Sequence, residues 1–332
     1  MSINLKVCFT WIALTGLLLA GFSFSMIAWS SFDLSLSDLV GYLLHFDDSS
    51  MEQQIIATLR APRVYSGLLI GANLAVAGAL MQGLTRNPLA SPSILGINAG
   101  AACFMALSSI GLWGLSALPS VAVAALGGTV SGALVMLLGG FFSNRPHPLK
   151  LVLAGIAVNA LLIGLTRASV ILADDMAYSV ISWLAGSIST IDWEQWATLW
   201  PFSVAGLSLA MLIARDMNLL ALGDDVATGL GLNVTYTRVL SCIAIVLLTA
   251  SSVAIAGPIG FVGLLIPHIA KKIVGNNFFL VLPISAILGA SLITWSDGLS
   301  RAIAFPAETP VGVITALLGT PCFIFIALRS KL

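Results

Sequence analysis

The chain has 332 residues, of which 58% are hydrophobic and only 8% are charged, and its mean hydropathy is +1.04. A soluble domain carries about 25% charged residues, so this composition excludes an ordinary soluble protein and predicts one embedded in a membrane. The net charge is zero, which gives no reason to expect a nucleic-acid partner.

Stretches of roughly 20 mostly apolar residues, the length that a helix needs to cross a bilayer, recur along the whole chain. They predict an all-α, polytopic membrane protein with about ten transmembrane helices and one transmembrane domain over residues 1–332. The first stretch is too long for the apolar region of a signal peptide, so we expect it to remain as a span. The predicted spans are residues 7–29, 64–85, 94–112, 115–142, 150–172, 194–214, 237–256, 259–274, 279–297 and 310–328.

The basic residues fall unequally on the two sides that the spans separate. Four of the 14 Lys and Arg residues are predicted on one side, namely Arg60, Arg63, Arg167 and Arg301, and the other ten on the opposite side. Cytoplasmic loops carry the excess of Lys and Arg in membrane proteins. Both termini and the loop 215–238 are therefore predicted to be cytoplasmic.

The sequence TRNPLASPSILG (85–96) interrupts the regular succession of spans with two prolines. Proline breaks helical hydrogen bonding, and non-helical backbone at membrane depth persists only where protein or a water-filled cavity shields it. Asn87, Pro88 and Pro92 are therefore candidates for a hinge or gate near the cytoplasmic side. The alternative is a plain turn.

The loop 215–238 lies between two apolar runs but does not look like a flexible linker. Asp224 and Asp225 stand in its middle, and acidic residues favour the N-terminus of a helix. A short amphipathic helix outside the bilayer either lies on lipid or docks on a partner. Docking is favoured because the loop has no cluster of Lys or Arg to hold it on anionic lipid. The apolar residues at helical spacing are Leu219, Leu222, Val226 and Leu230.

Several chemistries have no support in the sequence. It contains neither a GxxxxGK[ST] phosphate loop nor an HExxH zinc motif, and we expect no metal or cofactor site. No carboxylate is predicted well inside a span, where a proton-coupled carrier would keep one. An intramembrane enzyme and a secondary transporter are both disfavoured, and a conduit driven by another protein is favoured.

Seven stretches, in order along nearly the whole chain, form a specific set: LRAPR (59–63), GANLAVAGALMQGLTRNPLASPSILGINAGA (71–101), KLVLAGIAVNALLIGLTR (150–167), WLAGSIS (183–189), NLLALGDDVATGLGL (218–232), GPIGFVGLLIPHIAKK (257–272) and ETPVGVITALLGTPCFIFI (308–326). With them the chain resembles the permease subunit of the ABC importers for ferric siderophores and cobalamin. The resemblance is strongest to the ferric-dicitrate branch.

The resemblance implies a type II ABC importer permease in the bacterial cytoplasmic (inner) membrane. Two permease subunits would enclose a pathway, with two copies of a cytoplasmic ATPase subunit below and a periplasmic or lipid-anchored substrate-binding protein outside. The implied substrate is a ferric chelate, such as ferric dicitrate. A heterodimer of two permease chains is favoured, as in the ferric-dicitrate branch, and a homodimer is possible. The alternatives are a cobalamin or haem permease and, outside the family, a secondary transporter.

The resemblance also assigns roles to residues on the cytoplasmic side. Asp225, Ala227 and Gly231 resemble the E-A-A-x-x-x-G coupling pattern, although its first position is Asp and its second is Val226 here. Together with Asp224, they are expected to contact the ATPase. A large residue at Gly231 is expected to force its side chain into a tight turn between two helices.

On the outer side, the resemblance implies docking of the binding protein. Arg60 and Arg63 flank Pro62 and, like Arg301, match arginines that pair with glutamates of that protein. Arg60 and Arg63 could instead be interfacial anchors. Arg301 has a local alternative partner in Asp297, four residues earlier on the same helical face.

Arg167 is the charge placed most deeply in any predicted span. It lies 17 residues beyond Lys150, about 25 Å at the helical rise. The fifth span lines the pathway in the resembling family, so Arg167 is expected to face the substrate, with Asn159 two turns below on nearly the same face. A cation there would suit an anionic ferric chelate. The alternative is that Arg167 reaches the outer headgroups or Asp174.

Overall fold

The computed structural model describes residues 2–30, 32–140, 148–172 and 183–329, and within these ranges it contains helices and no β-strand. A π-helical turn (Ile56–Arg60) and a 3-10 helix (Pro92–Leu95) are also present. The α-helices are α1 (Ser2–Ile27), α2 (Leu36–Leu44), α3 (Met51–Ile55), α4 (Ala61–Thr85), α5 (Ile97–Ser109), α6 (Ser120–Leu138), α7 (Pro148–Leu172), α8 (Trp193–Leu212), α9 (Ala214–Leu220), α10 (Asp224–Gly229), α11 (Val234–Ala256), α12 (Val262–Val274), α13 (Phe278–Ala304) and α14 (Val311–Arg329).

Each predicted span has a helical counterpart, which confirms the all-α fold class. Six helices in the described ranges are long and apolar enough to cross a membrane, and the pair α8–α9, bent by 49°, makes a seventh. Helices α5 and α12 have only 13 residues each and are shorter than predicted. They are short because the proline-containing backbone that precedes them, at 87–96 and 257–261, is not α-helical.

Helix α4 lies at the centre of the bundle, and most of its residues are buried. Glycines allow two helices to approach its backbone closely. A Cβ built on Gly71 of α4 would lie 2.2 Å from the carbonyl oxygen of Gly289 in α13. One built on Gly78 would lie 2.0 Å from the carbonyl oxygen of Gly263 in α12. Small residues at such crossings are typical of packed membrane helices, and a larger side chain here would push the helices apart.

Polar contacts gather at the two ends of the bundle. We call the end with Arg63 and Arg301 the arginine end, and the end with α9, α10 and Arg86 the loop end. Helix α4 connects them, and its 25 residues span about 38 Å. The start of α8 is also at the arginine end, because Trp193 Nε1 donates a hydrogen bond to the carbonyl oxygen of Ala57 at 2.9 Å.

Helix α13 continues beyond the predicted end of its span (279–297) and ends at Ala304. Asp297 is therefore inside the helix and fully buried. The helix extends seven residues past the predicted end of the span, and it holds a buried carboxylate near the arginine end. The charge is tolerated because Arg63 and Arg301 both form ion pairs with it.

Candidate functional site

The loop 215–238 folds as two short helices packed against the loop end. Helices α9 and α10 are separated by a turn at Gly223, whose φ of 117° favours glycine. Met217 and Leu220 of α9 and Ala227 of α10 are buried. These contacts fix the loop on the bundle, so it is an ordered surface element and not a free linker.

The opposite side of this loop is apolar and exposed. Leu222, Val226 and Leu230 are 60%, 51% and 60% exposed. Val226 and Leu230 are four residues apart along α10 and its C-cap, so they lie on one side of it, and Leu222 borders the same cavity as Val226. We call these three residues the apolar stripe. Exposed apolar groups that lie together often mark a protein contact surface. The amphipathic pattern predicted from the sequence is present, while its partner stays a prediction.

The two acidic residues of α10 have different surroundings. Asp224 lies between two arginines: Arg238 Nη2 donates to its Oδ2 at 2.6 Å, and Arg86 Nη2 donates to its Oδ1. Asp225 is exposed. Asp224 therefore holds the loop to the bundle, whereas Asp225 is accessible to a partner. Sequence reasoning missed Arg86 and Arg238 as site residues.

Ala227 and Gly231 have different surroundings, and their predicted contact with the ATPase stays a prediction. Ala227 is buried, so its side chain belongs to the packed side of the loop and not to its exposed side. Gly231 has a φ of 86°, and a Cβ built there would meet nothing within 4 Å. The expected crowding at Gly231 is therefore wrong. The left-handed backbone is the reason that this position favours glycine.

The backbone after α4 leaves the α-helical conformation, as the two prolines predict. Arg86 caps the helix in a left-handed conformation, with φ 47° and ψ 32°. Asn87 Oδ1 then accepts a hydrogen bond from the Leu89 N–H at 2.9 Å. We call residues 86–95 the proline segment. Asn87 and Pro88 are exposed near the loop end.

Asn159 and Arg167 line one cavity of about 450 Å³ beside α5 and α7. Arg167 carries the only charge among the described residues that line it. Ser93 of the proline segment lines the same cavity, and its carbonyl oxygen accepts a hydrogen bond from Asn159 Nδ2 at 3.4 Å. The predicted pathway residues thus meet the segment 85–96, predicted as a hinge, through Ser93, although the roles of both stay predictions. Asp174 lies outside the described residues.

A second cavity of about 190 Å³ adjoins the first. Pro92 lines it, and Ser93 and Asn98 line both cavities. Thr249 of α11 and Phe261, which precedes α12, complete part of its wall. Of the three predicted hinge residues, Pro92 is therefore the one that borders a cavity.

Ion pairs and hydrogen bonds at the arginine end connect α1, α4 and α13. Asp297 of α13 is 2.6 Å from Arg63 Nη2 and 3.0 Å from Arg301 Nη2. Arg63 Nη1 is also 2.7 Å from Glu308, which follows α13. Arg301 Nη2 donates to the carbonyl oxygen of Ser25 at 2.5 Å, which adds α1 to the network. Glu308 and Ser25 were not predicted, because Glu308 is 245 positions from Arg63 and Ser25 is 276 positions from Arg301.

These contacts bear on the three arginines predicted to dock a binding protein. Arg63 and Arg301 are buried, and the alternative suggested for Arg301, an ion pair with Asp297, is present. Arg60 is also mostly buried, and its Nη2 donates to the carbonyl oxygen of Trp29 at 3.3 Å. Docking by these residues stays a prediction, whereas their internal contacts are direct observations.

Replacing Asp297 with alanine is expected to lower the free energy of unfolding by about 3–5 kcal/mol, because Arg63 and Arg301 would stay buried without their partner. Glu308→Ala is the matched control and should cost about 1 kcal/mol or less, since Glu308 is partly exposed. Thermal unfolding of the purified chain in detergent measures both changes. Equal stability of the two variants would contradict a structural role for Asp297.

Comparisons with known proteins agree with this architecture. The FecCD transport family matches residues 17–329. The Fe(3+)-citrate import system permease protein YfmD of Bacillus subtilis (strain 168) is 45% identical over 299 residues, covering 90% of this chain and 88% of the relative. The Fe(3+) dicitrate transport system permease protein FecC of Escherichia coli (strain K12) is 42% identical over 313 residues, covering 93% of each chain.

A solved structure, described as an inward-facing conformation of a metal-chelate type ABC transporter, matches with a TM-score of 0.83 and 30% identity. The match covers 96% of this chain and 98% of that chain. It confirms the ABC permease fold, and the named relatives confirm the resemblance to the ferric-dicitrate branch. The chain is a multi-pass membrane protein and belongs to the FecCD transport family.

Proposed function

We propose that this chain is the permease subunit of a binding-protein-dependent ABC importer that carries a ferric chelate into the cytoplasm. The observation that carries the proposal is the match to two iron permeases, named for Fe(3+)-citrate and Fe(3+) dicitrate, over about nine tenths of the chain. As a permease subunit, the chain is not an enzyme, and a separate ATPase subunit would supply the energy.

The cavity beside α7 supports an anionic ferric chelate as the substrate. Its walls are mostly apolar, with Asn159 and Asn98 among the few polar groups and Arg167 as the charged group. A guanidinium forms strong, charge-assisted hydrogen bonds with carboxylates. Ferric dicitrate offers carboxylates to such a group. A neutral corrinoid, the substrate of a cobalamin permease, would gain nothing from it.

The loop end is the proposed contact with the ATPase. The apolar stripe is exposed on an element that lies outside the spans and is fixed to the bundle. Exposed Asp225 stands beside the stripe and adds a charge that a partner could recognise. Two ATPase copies would serve the complex, one below each permease subunit.

The arginine end is the proposed contact with the substrate-binding protein. Arg63 is shared between buried Asp297 and Glu308, and the side chain of Glu308 is 34% exposed. A carboxylate of the binding protein could therefore replace Glu308 at Arg63 without disturbing Asp297. Arg60 lies three residues away and would add positive charge to the contact.

A second permease subunit would complete the pathway, and we favour a different chain over a second copy. Helix α7 presents exposed apolar residues beside the cavity, including Leu153, Ile156 and Leu161.

The positive-inside rule supports an orientation with the loop end and both termini in the cytoplasm. The corresponding location is the bacterial cytoplasmic membrane.

Growth of a bacterium that lacks its own ferric-citrate permeases tests the proposal. Expression of this chain together with its partner permease, ATPase and binding protein should restore growth on ferric dicitrate as the only iron source. A strain without this chain is the control. Failure to grow on any ferric chelate, together with uptake of cobalamin or haem, would overturn the proposed substrate class.

A further inference from the structure

The carboxylate of Asp224 connects three parts of the chain. Asp224 is the first residue of α10, next to the apolar stripe. Its Oδ2 accepts a hydrogen bond from Arg238 in the first turns of α11, and its Oδ1 accepts one from Arg86, which directly follows α4. One side chain therefore ties the loop to the ends of two long helices.

Arg86 has a second contact with the same loop. Its Nη2 also donates to the carbonyl oxygen of Leu220, the last residue of α9, at 3.1 Å. The backbone of Arg86 is left-handed, with φ 47°, a conformation that residues with a Cβ adopt only at some energetic cost. Because the side chain of Arg86 contacts both α9 and α10, a movement of the loop is expected to move Arg86 with it.

Only a short stretch of chain separates Arg86 from the cavities. Ser93, seven residues later, lines both of them, and its carbonyl oxygen is the acceptor for Asn159. Pro88 and Pro92 fix φ at two of the intervening residues. The contact of Asn87 with the Leu89 N–H restricts the turn further. The two prolines and this hydrogen bond restrict the segment, which is the basis for expecting a displacement of Arg86 to reach Ser93.

We propose that Arg86 is a positioning residue that, through Asp224, transmits movement of the ATPase-facing loop to the proline segment and so to the cavities. The inference rests on the proposed function, since it takes the loop as the contact with the ATPase. Arg86 touches neither ATPase nor substrate in this account. It acts by making the proline segment follow α9 and α10.

The exposure of the pair separates this role from a merely structural one. The side chain of Arg86 is 44% exposed and that of Asp224 is 39% exposed, whereas the Arg238 side chain is only 11% exposed. Exposed ion pairs contribute little to stability. Removing the Arg86 guanidinium should therefore leave the fold and the Asp224–Arg238 pair in place while the link to the proline segment is lost.

The test uses the complete importer with its ATPase, second permease and binding protein, reconstituted in lipid vesicles. Arg86→Gln removes the link, Arg86→Lys keeps the charge, and Arg215→Gln is the matched control at an exposed arginine of the same loop. Arg86→Gln should keep the thermal stability, the bound ATPase and the ATP hydrolysis of the wild type. Ferric chelate imported per ATP should fall by roughly 2- to 30-fold, the range for residues that couple two sites. Arg86→Lys should recover much of this loss.

A label on the proline segment gives a readout that needs no substrate. Leu89 is exposed, so a cysteine there can carry a spin label in a chain whose Cys8 and exposed Cys322 are replaced by serine. ATP binding should change the spectrum of this label in the wild-type background, and Arg86→Gln should abolish the change. Arg215→Gln should retain it.

Three results would overturn the inference: an unchanged label response in Arg86→Gln, an unchanged ratio of import to hydrolysis, or loss of the ATPase from the complex. The last would make Arg86 a docking residue. If the wild-type complex imported no ferric chelate, the proposed substrate would be wrong, and the label response to ATP would still decide the role of Arg86.

Discussion

Replacing Arg167 with glutamine is expected to lower uptake of an anionic ferric chelate roughly 10- to 100-fold. A charge-assisted hydrogen bond contributes about 1.5–3 kcal/mol, and each 1.4 kcal/mol corresponds to about tenfold in an equilibrium constant. Arg167 is the only charge among the described residues of its cavity, so no neighbouring charge on that wall compensates for its loss. Uptake of radioactive iron supplied as ferric dicitrate measures the effect.

Three controls distinguish a pathway role from a structural one. Arg167→Gln should keep ATP hydrolysis and binding-protein affinity at the wild-type level. Arg167→Lys should retain part of the uptake, because it keeps the positive charge. A neutral ferric chelate, if transported, should be affected much less. Equal uptake of several chelates of different charge by wild type and Arg167→Gln would contradict a pathway role and favour the alternative that Arg167 contacts the lipid headgroups.

Aspartate at both Val226 and Leu230 is expected to release the ATPase from the permease. Both side chains lie on the exposed apolar stripe. A central apolar contact of an interface contributes about 2 kcal/mol or more, so each substitution should weaken docking roughly 30-fold or more. Copurification of the ATPase with the tagged permease measures this directly, and uptake should fall with it.

Thr235→Asp is the matched control for this double variant. Thr235 is exposed in the first turn of α11 and borders the same cavity as Leu222 and Val226, but it is not part of the apolar stripe, and an acidic residue is tolerated at the start of a helix. It should leave both docking and uptake unchanged. Normal copurification and uptake with aspartate at both Val226 and Leu230 would refute the assignment of this surface to the ATPase.

The fold could be predicted from the sequence largely because the bilayer imposes a simple rule. A helix that crosses it needs a long apolar run, and each such run has a helical counterpart in the structure. The end of α13 could not be predicted in this way. Asp297 and Arg301 were predicted to share a helical face, but the apolar run alone ended the span at 297, because the sequence does not show that Arg63, 234 positions away, pairs with Asp297. Hydropathy is summed over neighbouring residues, so it does not detect ion pairs between residues that are far apart in the sequence.

In the candidate site, too, local patterns could be predicted from the sequence and contacts between distant residues could not. The ordered loop 215–238 was predictable because its amphipathic spacing is local, while its coupling role stays a prediction. Arg86 was not, because 138 positions separate it from Asp224 and neither residue carries a local signal of the pair. Asn159 and Arg167 were predictable as a pair because they share a helix. Their contact with Ser93 depends on how α7 packs beside the proline segment.

ATP-driven transport by the purified importer in lipid vesicles tests the proposed function as a ferric-chelate permease most directly. The permease chains, the ATPase and the binding protein are reconstituted, ATP is supplied on the ATPase side, and radioactive ferric dicitrate is supplied with the binding protein on the other. We predict that iron accumulates inside the vesicles only with ATP, that excess unlabelled ferric dicitrate competes with the labelled chelate, and that cobalamin does not. Accumulation of cobalamin without accumulation of iron would contradict the proposed function.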